Sequence, residues 1–99
     1  MATWKDAERT IAKRLGLRRT GQYGGADCEG AYLAVEVKHR GRLPKWLHDA
    51  MAQAESHTGP AQLPMVVLHE HRQPYSKAFI VLRLQDFQDW YGGGRGCDG

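Results

Sequence analysis

The segment Tyr32-Leu33-Ala34-Val35-Glu36-Val37-Lys38 constrains this chain more than any other stretch. Its apolar and β-branched residues read as a strand, in which alternate side chains share a face. Leu33, Val35 and Val37 then point to one side, and Glu36 and Lys38 to the other. The strand is apolar enough to be central in a sheet, yet it carries a carboxylate and an ammonium two residues apart. Taking such charges out of water is costly, so on a buried strand they need partners. Asp27 offers one. Residues 27–29 read as the preceding strand and Gly30 as the turn, and a tight hairpin brings Asp27 within a residue or two of Glu36.

With 99 residues and 41% hydrophobic content, the chain suits a single domain over residues 1–91, followed by a flexible glycine-rich tail at 92–99. No apolar run reaches the roughly 18 residues of a membrane span, so no membrane partner is expected. The first residues lack the apolar stretch of a secretory signal. Cys28 and Cys97 sit in dissimilar settings and read as reduced thiols, which fits an intracellular, cytoplasmic protein. The net charge of +3 says less than its distribution. Lys5, Arg9, Lys13, Arg14, Arg18 and Arg19 crowd the first segment, and Lys38, His39, Arg40, Arg42 and Lys45 follow the charged strand. Two basic clusters flanking an acidic pair suit a polyanion whose phosphates they neutralise. Each cluster alone also reads as a solvated surface.

Residues 3–17 read as a helix, with Thr3 as N-cap, Asp6 in the first turn, Lys13 and Arg14 in the last, and Gly16 as the break. Trp4, Ala7, Ile11, Ala12 and Leu15 form its apolar stripe. Glu8 falls inside that stripe. It is either turned to solvent near the helix end or held inward over the sheet's charged edge. A short strand at 17–23 and the loop Gly24-Gly25-Ala26 lead to Asp27. A basic connector at 39–43 precedes a second helix, which starts at Pro44 and ends near His57. Leu43, Leu47, Ala50, Met51 and Ala54 make its buried stripe, and Gln53 lies on the flank with Trp46 and His57. Residues 64–70 and 78–82 read as buried strands joined by a polar turn, and 84–90 as a short helix.

Phosphodiester hydrolysis needs an activated water, charge neutralisation on the phosphate and help for the leaving oxygen. A Mg²⁺ ion on one or two carboxylates can supply all three. Asp27 and Glu36 fit as ligands, with the Val37 carbonyl as a further one. Lys38 suits either orienting the attacking water or stabilising developing negative charge. Glu8 adds an outer carboxylate.

Asp27, then Glu36-Val37-Lys38, after a helix carrying Glu8, resembles the PD-(D/E)XK nucleases. Within that superfamily the likeness is to the archaeal-type Holliday junction resolvases, including versions carried by phages. It covers residues 4–82. Ala26 stands where many members have proline. The resemblance implies an α/β restriction-endonuclease-like core, a central mixed sheet flanked by helices in αβββαββα order. It implies that Glu8, Asp27 and Glu36 bind Mg²⁺, with Mn²⁺ able to substitute, and that Lys38 is catalytic. Gln53 resembles a glutamine that many of these nucleases place near the site, although the residue also reads as an ordinary helix surface position. The substrate implied is branched DNA, cut by a homodimer with one site per subunit. The dimer surface would be the third and fourth strands, or the terminal helix with Phe87, Trp90 and Tyr91. Such a protein could act in a cell or, phage-encoded, in its host. Arg9, Arg18, Arg19, Arg40, Arg42 and Lys45 are the candidates for reading DNA shape and phosphates.

Other readings compete. One is a nicking, repair or restriction-like nuclease of the same superfamily. Another is a non-catalytic DNA-binding module, for which acids that repel phosphate have no use. His39, His48, His57, His69 and His71 lack a zinc-ligand spacing and read as solvent-facing or hydrogen-bonded residues. No P-loop or dinucleotide glycine pattern is present, so no cofactor-binding residue is assigned.

Overall fold

The computed structural model describes residues 4–19, 28–29 and 32–91, with positions 18, 19, 28 and 29 described as backbone. Thr3, the loop at 24–26, Asp27, the turn at Gly30, Cys97 and the tail at 92–99 lie outside the described residues. The elements run α1 (Trp4–Leu15), β1 (Arg18–Arg19), β2 (Cys28–Glu29), β3 (Ala34–Val35), α2 (Lys45–Ser56), β4 (Val66–Leu68), β5 (Phe79–Val81) and α3 (Leu84–Tyr91). A 3₁₀ turn at Tyr75–Lys77 lies between β4 and β5. This is an α/β chain in αβββαββα order, as the sequence suggests. It falls into two compact units within what the sequence reads as one domain: Met1–Gly41 with Gln88–Gly99, and Arg42–Phe87.

In the first unit, α1 packs against β1 and β2. Its inward face follows the helical spacing 8, 12 and 15, and these three residues are its buried ones. Ala12 and Leu15, each 4% exposed, form the apolar part. Trp4, expected in the stripe, is exposed and carries the Lys5 ammonium over its ring at 5.6 Å. The helix stops at Gly16, whose φ of 70° is left-handed. There Leu17 N–H donates to the Ala12 carbonyl at 2.7 Å and Gly16 N–H to the Lys13 carbonyl at 3.3 Å. These two bonds are the Schellman closure, and they satisfy carbonyls the helix end would orphan. A side chain at position 16 would press its Cβ on the following carbonyl. Gly16→Ala is therefore expected to destabilise the protein by about 1–2 kcal/mol. A lowered urea midpoint with an unchanged slope would show it.

The strands of this unit pair antiparallel in the order β1-β2-β3, with Arg18 opposite Glu29, Arg19 opposite Cys28, Cys28 opposite Val35 and Glu29 opposite Ala34. Among the described residues β3 is the edge of this sheet, not a central strand. Here the structure corrects the sequence reading. Exposure alternates without a break from Tyr32 to Lys38, with Leu33, Val35 and Val37 half-buried and Tyr32, Ala34, Glu36 and Lys38 exposed. The charges thus sit on the solvent side of an edge. Alternation records which residues share a face, and it does not record what covers the other face.

The second unit holds α2, β4 and β5. Pro44, with ψ of 143°, is the N-cap of α2 rather than its first helical residue, and His57 closes the C-terminus. Met51 is buried, Leu47, Ala50 and Ala54 are half-buried, and Leu43 is exposed. α2 packs against β4. β4 and β5 pair antiparallel, Val66 with Val81, Val67 with Ile80 and Leu68 with Phe79. The ladders among the described residues thus fall into two antiparallel sheets, where a single mixed sheet is expected from the resemblance. Nor are these strands buried: Val67, Phe79 and Ile80 are all exposed. Side chains on a sheet face are covered by another layer packed against it, and among the described residues no such layer covers these three.

Within this unit Arg83, which follows β5, is tied to α2 by a bidentate pair with Glu55. Its Nε donates to one carboxylate oxygen, and Nη2 donates to the other at 3.2 Å. The Arg83 hydrogen bond holds the Glu55 carboxyl below its ordinary value of 4.5; desolvation opposes this and the Arg83 charge assists it. A carboxyl whose pKa is depressed on folding stabilises the fold above its unfolded pKa. That contribution is lost as pH falls through the folded value. The urea midpoint of wild type should therefore exceed that of Glu55→Gln near neutral pH. The gap should close in acid, below the depressed pKa.

Candidate functional site

The charged group expected at the site lies in the first unit. Glu36 and Lys38 follow the last residue of β3, and the intervening Val37 turns its side chain to the half-buried face. Extended backbone puts both charges on one side. The Lys38 Nζ lies 3.2 Å from the Glu36 Oε2. Their side chains are 66% and 53% exposed, so the pair is an open one and contributes little to stability. Its interest is chemical. A ligand held by the Glu36 carboxylate falls within reach of the same ammonium.

Glu8 answers the question its sequence position raised. It is 8% exposed, on the face of α1 with Ala12 and Leu15, and is not turned to solvent. Burying a carboxylate is expensive unless other groups satisfy it, so this position is not a neutral choice on a helix surface. α1 holds it on the side packed against β1 and β2.

The other expected site residues divide. Asp27 lies outside the described residues. Gln53 is exposed on α2, in the second unit, where its carbonyl accepts a hydrogen bond from Ser56 Oγ at 2.7 Å. Arg9, Arg40, Arg42 and Lys45 are all exposed. Two of them already have acidic partners: Arg9 pairs with Asp6 at 3.0 Å and Lys45 with Asp49 at 2.8 Å. Such one-turn pairs support their helices by a few tenths of a kcal/mol. Arg40 donates to the His39 carbonyl at 3.1 Å, a contact that leaves its positive charge uncompensated by any carboxylate in that bond. The backbone of Arg18 and Arg19 forms β1.

Among the described residues, no three His, Cys, Asp or Glu side chains gather in a way that could hold a metal ion. The donors that are described, the carboxylates of Glu8 and Glu36, are hard oxygen ligands, and that chemistry fits Mg²⁺ or Mn²⁺ rather than a soft metal. No helix among the described residues is long and apolar enough to cross a membrane.

One feature of the second unit leaves no motif in the sequence. In the second unit a cavity of about 560 Å³ is lined by Leu68, His69, Glu70, Gln73, Lys77 and Phe79. The solvent-facing, hydrogen-bonded reading of His69 fits its contacts, since it is exposed and its Nε2 lies 2.8 Å from the Gln73 carbonyl oxygen. Its stacking on Tyr75 had no signal in the spacing of the histidines.

The chain matches no protein family, no curated protein and no solved structure.

Proposed function

We propose that the chain is a Mg²⁺-dependent endonuclease that resolves four-way DNA junctions, on a restriction-endonuclease-like core of the PD-(D/E)XK type. One observation carries the reading, the register of the ladder beside the Glu36–Lys38 pair. Cys28 faces Val35 and Glu29 faces Ala34. The next rung in that register is numbered 27 and 36. Extended by one rung past β3, this register puts Asp27 opposite Glu36 in the proposed site. Residues directly opposite in an antiparallel pair share a face with Cβ atoms roughly 5 Å apart. Two carboxylates so placed repel each other unless a cation lies between them.

Asp27, Glu36 and the Val37 carbonyl would hold the ion, with Glu8 as the outer carboxylate. When bound, Mg²⁺ (or Mn²⁺ in its place) supplies charge neutralisation on the phosphate and an activated water. Lys38 takes the charge-stabilising role, since its ammonium stands beside the carboxylate that anchors the substrate's site. Gln53 is assigned to the site by resemblance alone. Arg9, Arg18, Arg19, Arg40, Arg42 and Lys45 bind backbone phosphates and read shape rather than sequence. Two copies about a twofold axis give paired, symmetric incisions. Light scattering should then report twice the 11.1 kDa chain mass.

Labelled four-way junction, linear duplex and single strand, each incubated with Mg²⁺ or with EDTA, test the reading. Metal-dependent cutting of the junction alone is the expected result. Equal cutting of linear duplex would move the assignment to a nicking, repair or restriction-like nuclease. Tight junction binding with no cutting would leave a DNA-binding module.

A further inference from the structure

The β4–β5 ribbon has two faces, and they differ in kind. Val67 and Ile80 share one, which is plainly apolar. Leu68 and Phe79 share the other, and there the cavity of about 560 Å³ opens. It is an open groove, since every lining residue but Leu68 is exposed, with room for one small flat ligand laid against its wall. Its lining combines an aromatic ring, an aliphatic side chain, a carboxylate, a carboxamide, an imidazole and an ammonium.

Three details give this lining a direction. Phe79 is 72% exposed, so an aromatic ring stands open beside the cavity. The His69 ring is held twice, by stacking on Tyr75 with centroids 4.5 Å apart and by the Gln73 carbonyl at 2.8 Å. A wall fixed in this way loses little freedom when a flat ligand lies against it. Lys77 places a cation among the lining residues, while Glu70 and Gln73 add hydrogen-bonding groups suited to a base edge. The turn that carries these groups is tight. Gln73 N–H donates to the Glu70 carbonyl at 3.0 Å, and Arg72 adopts a left-handed φ of 72°.

From this we infer that the cavity binds one unpaired nucleotide, its base stacked on Phe79 and its phosphate beside Lys77. The inference rests on the DNA-processing reading above and adds to it a second contact, remote in sequence from the carboxylates, that recognises unpaired rather than duplex DNA. Paired bases are already stacked and cannot enter; a base at a branch or in a single strand can.

The test uses the full chain in EDTA, so that cleavage plays no part, and a single-stranded oligonucleotide with one 2-aminopurine, free or annealed to its complement. Binding should change the emission of the unpaired probe and leave that of the paired probe unaltered. Phe79→Ala should weaken single-strand binding about 10-fold, the usual effect of losing one base–aromatic stack, with duplex affinity within about twofold. Phe79 is exposed, so its truncation should leave the melting temperature near wild type. Lys77→Gln provides a second variant, expected to weaken single-strand binding and to lower its salt slope by about one. Unchanged single-strand affinity in both variants, with duplex binding intact, would overturn this inference and leave the nuclease reading standing. Failure of the wild type to bind any nucleic acid would overturn both.

Discussion

Asp27→Asn is expected to lower metal-dependent cleavage by on the order of 10³-fold while leaving DNA binding intact or tighter. The change keeps the size and removes one negative charge. If Asp27 stands opposite Glu36, the ion loses a charged ligand, and the phosphate backbone loses a repelling one. The two effects have opposite signs, and that is what makes the variant informative. A residue needed only for folding would lose binding and cleavage together. Cleavage at wild-type rate in Asp27→Asn, with binding unchanged, would refute the metal assignment.

Lys38→Met should cost about 10²–10³-fold in the single-turnover cleavage rate with little change in affinity for the junction. The Lys38 Nζ stands 3.2 Å from the Glu36 Oε2. An ammonium beside the anchoring carboxylate helps most when negative charge builds on the phosphate, so its loss appears in the rate more than in binding. Because the pair acts as a unit, the Glu36→Gln, Lys38→Met double variant should be little worse than the poorer single one. A Lys38→Met protein that cuts normally but binds weakly would make Lys38 a phosphate contact and nothing more. Both side chains are largely exposed, so neither change should disturb the fold.

Local pattern made some of this visible in the sequence. Trp4 of the α1 stripe is exposed, but the Ala12–Leu15 part of that stripe, its stop at Gly16 and the extent of α2 follow from helical periodicity and end residues, which act over a few neighbours. The same holds for the alternation from Tyr32 to Lys38, where the expected common face of Glu36 and Lys38 is the one observed. Properties set by distant partners were not legible. From sequence Glu8 reads as either solvent-facing or inward, and its burial depends on α1 packing over β1 and β2. Val67, Phe79 and Ile80 have the apolar character of buried strand residues, yet they are exposed, because what packs over a strand's face is not written in the strand itself. The Arg83–Glu55 pair and the His69–Tyr75 stack join residues whose meeting depends on the fold of the ribbon and helix.

The proposed catalytic group lies in the first unit, where a buried carboxylate on α1 and an open carboxylate–ammonium pair beyond β3 belong to one packed helix and sheet.

The most direct test of the proposed chemistry is strand-resolved mapping of the products from a four-way junction, labelled in turn on each arm, after a single turnover with Mg²⁺ and with EDTA. Paired nicks at symmetric positions on two opposed strands are expected with Mg²⁺, and intact strands in EDTA. Intact strands under both conditions, from protein shown to bind the junction, would contradict the proposed chemistry.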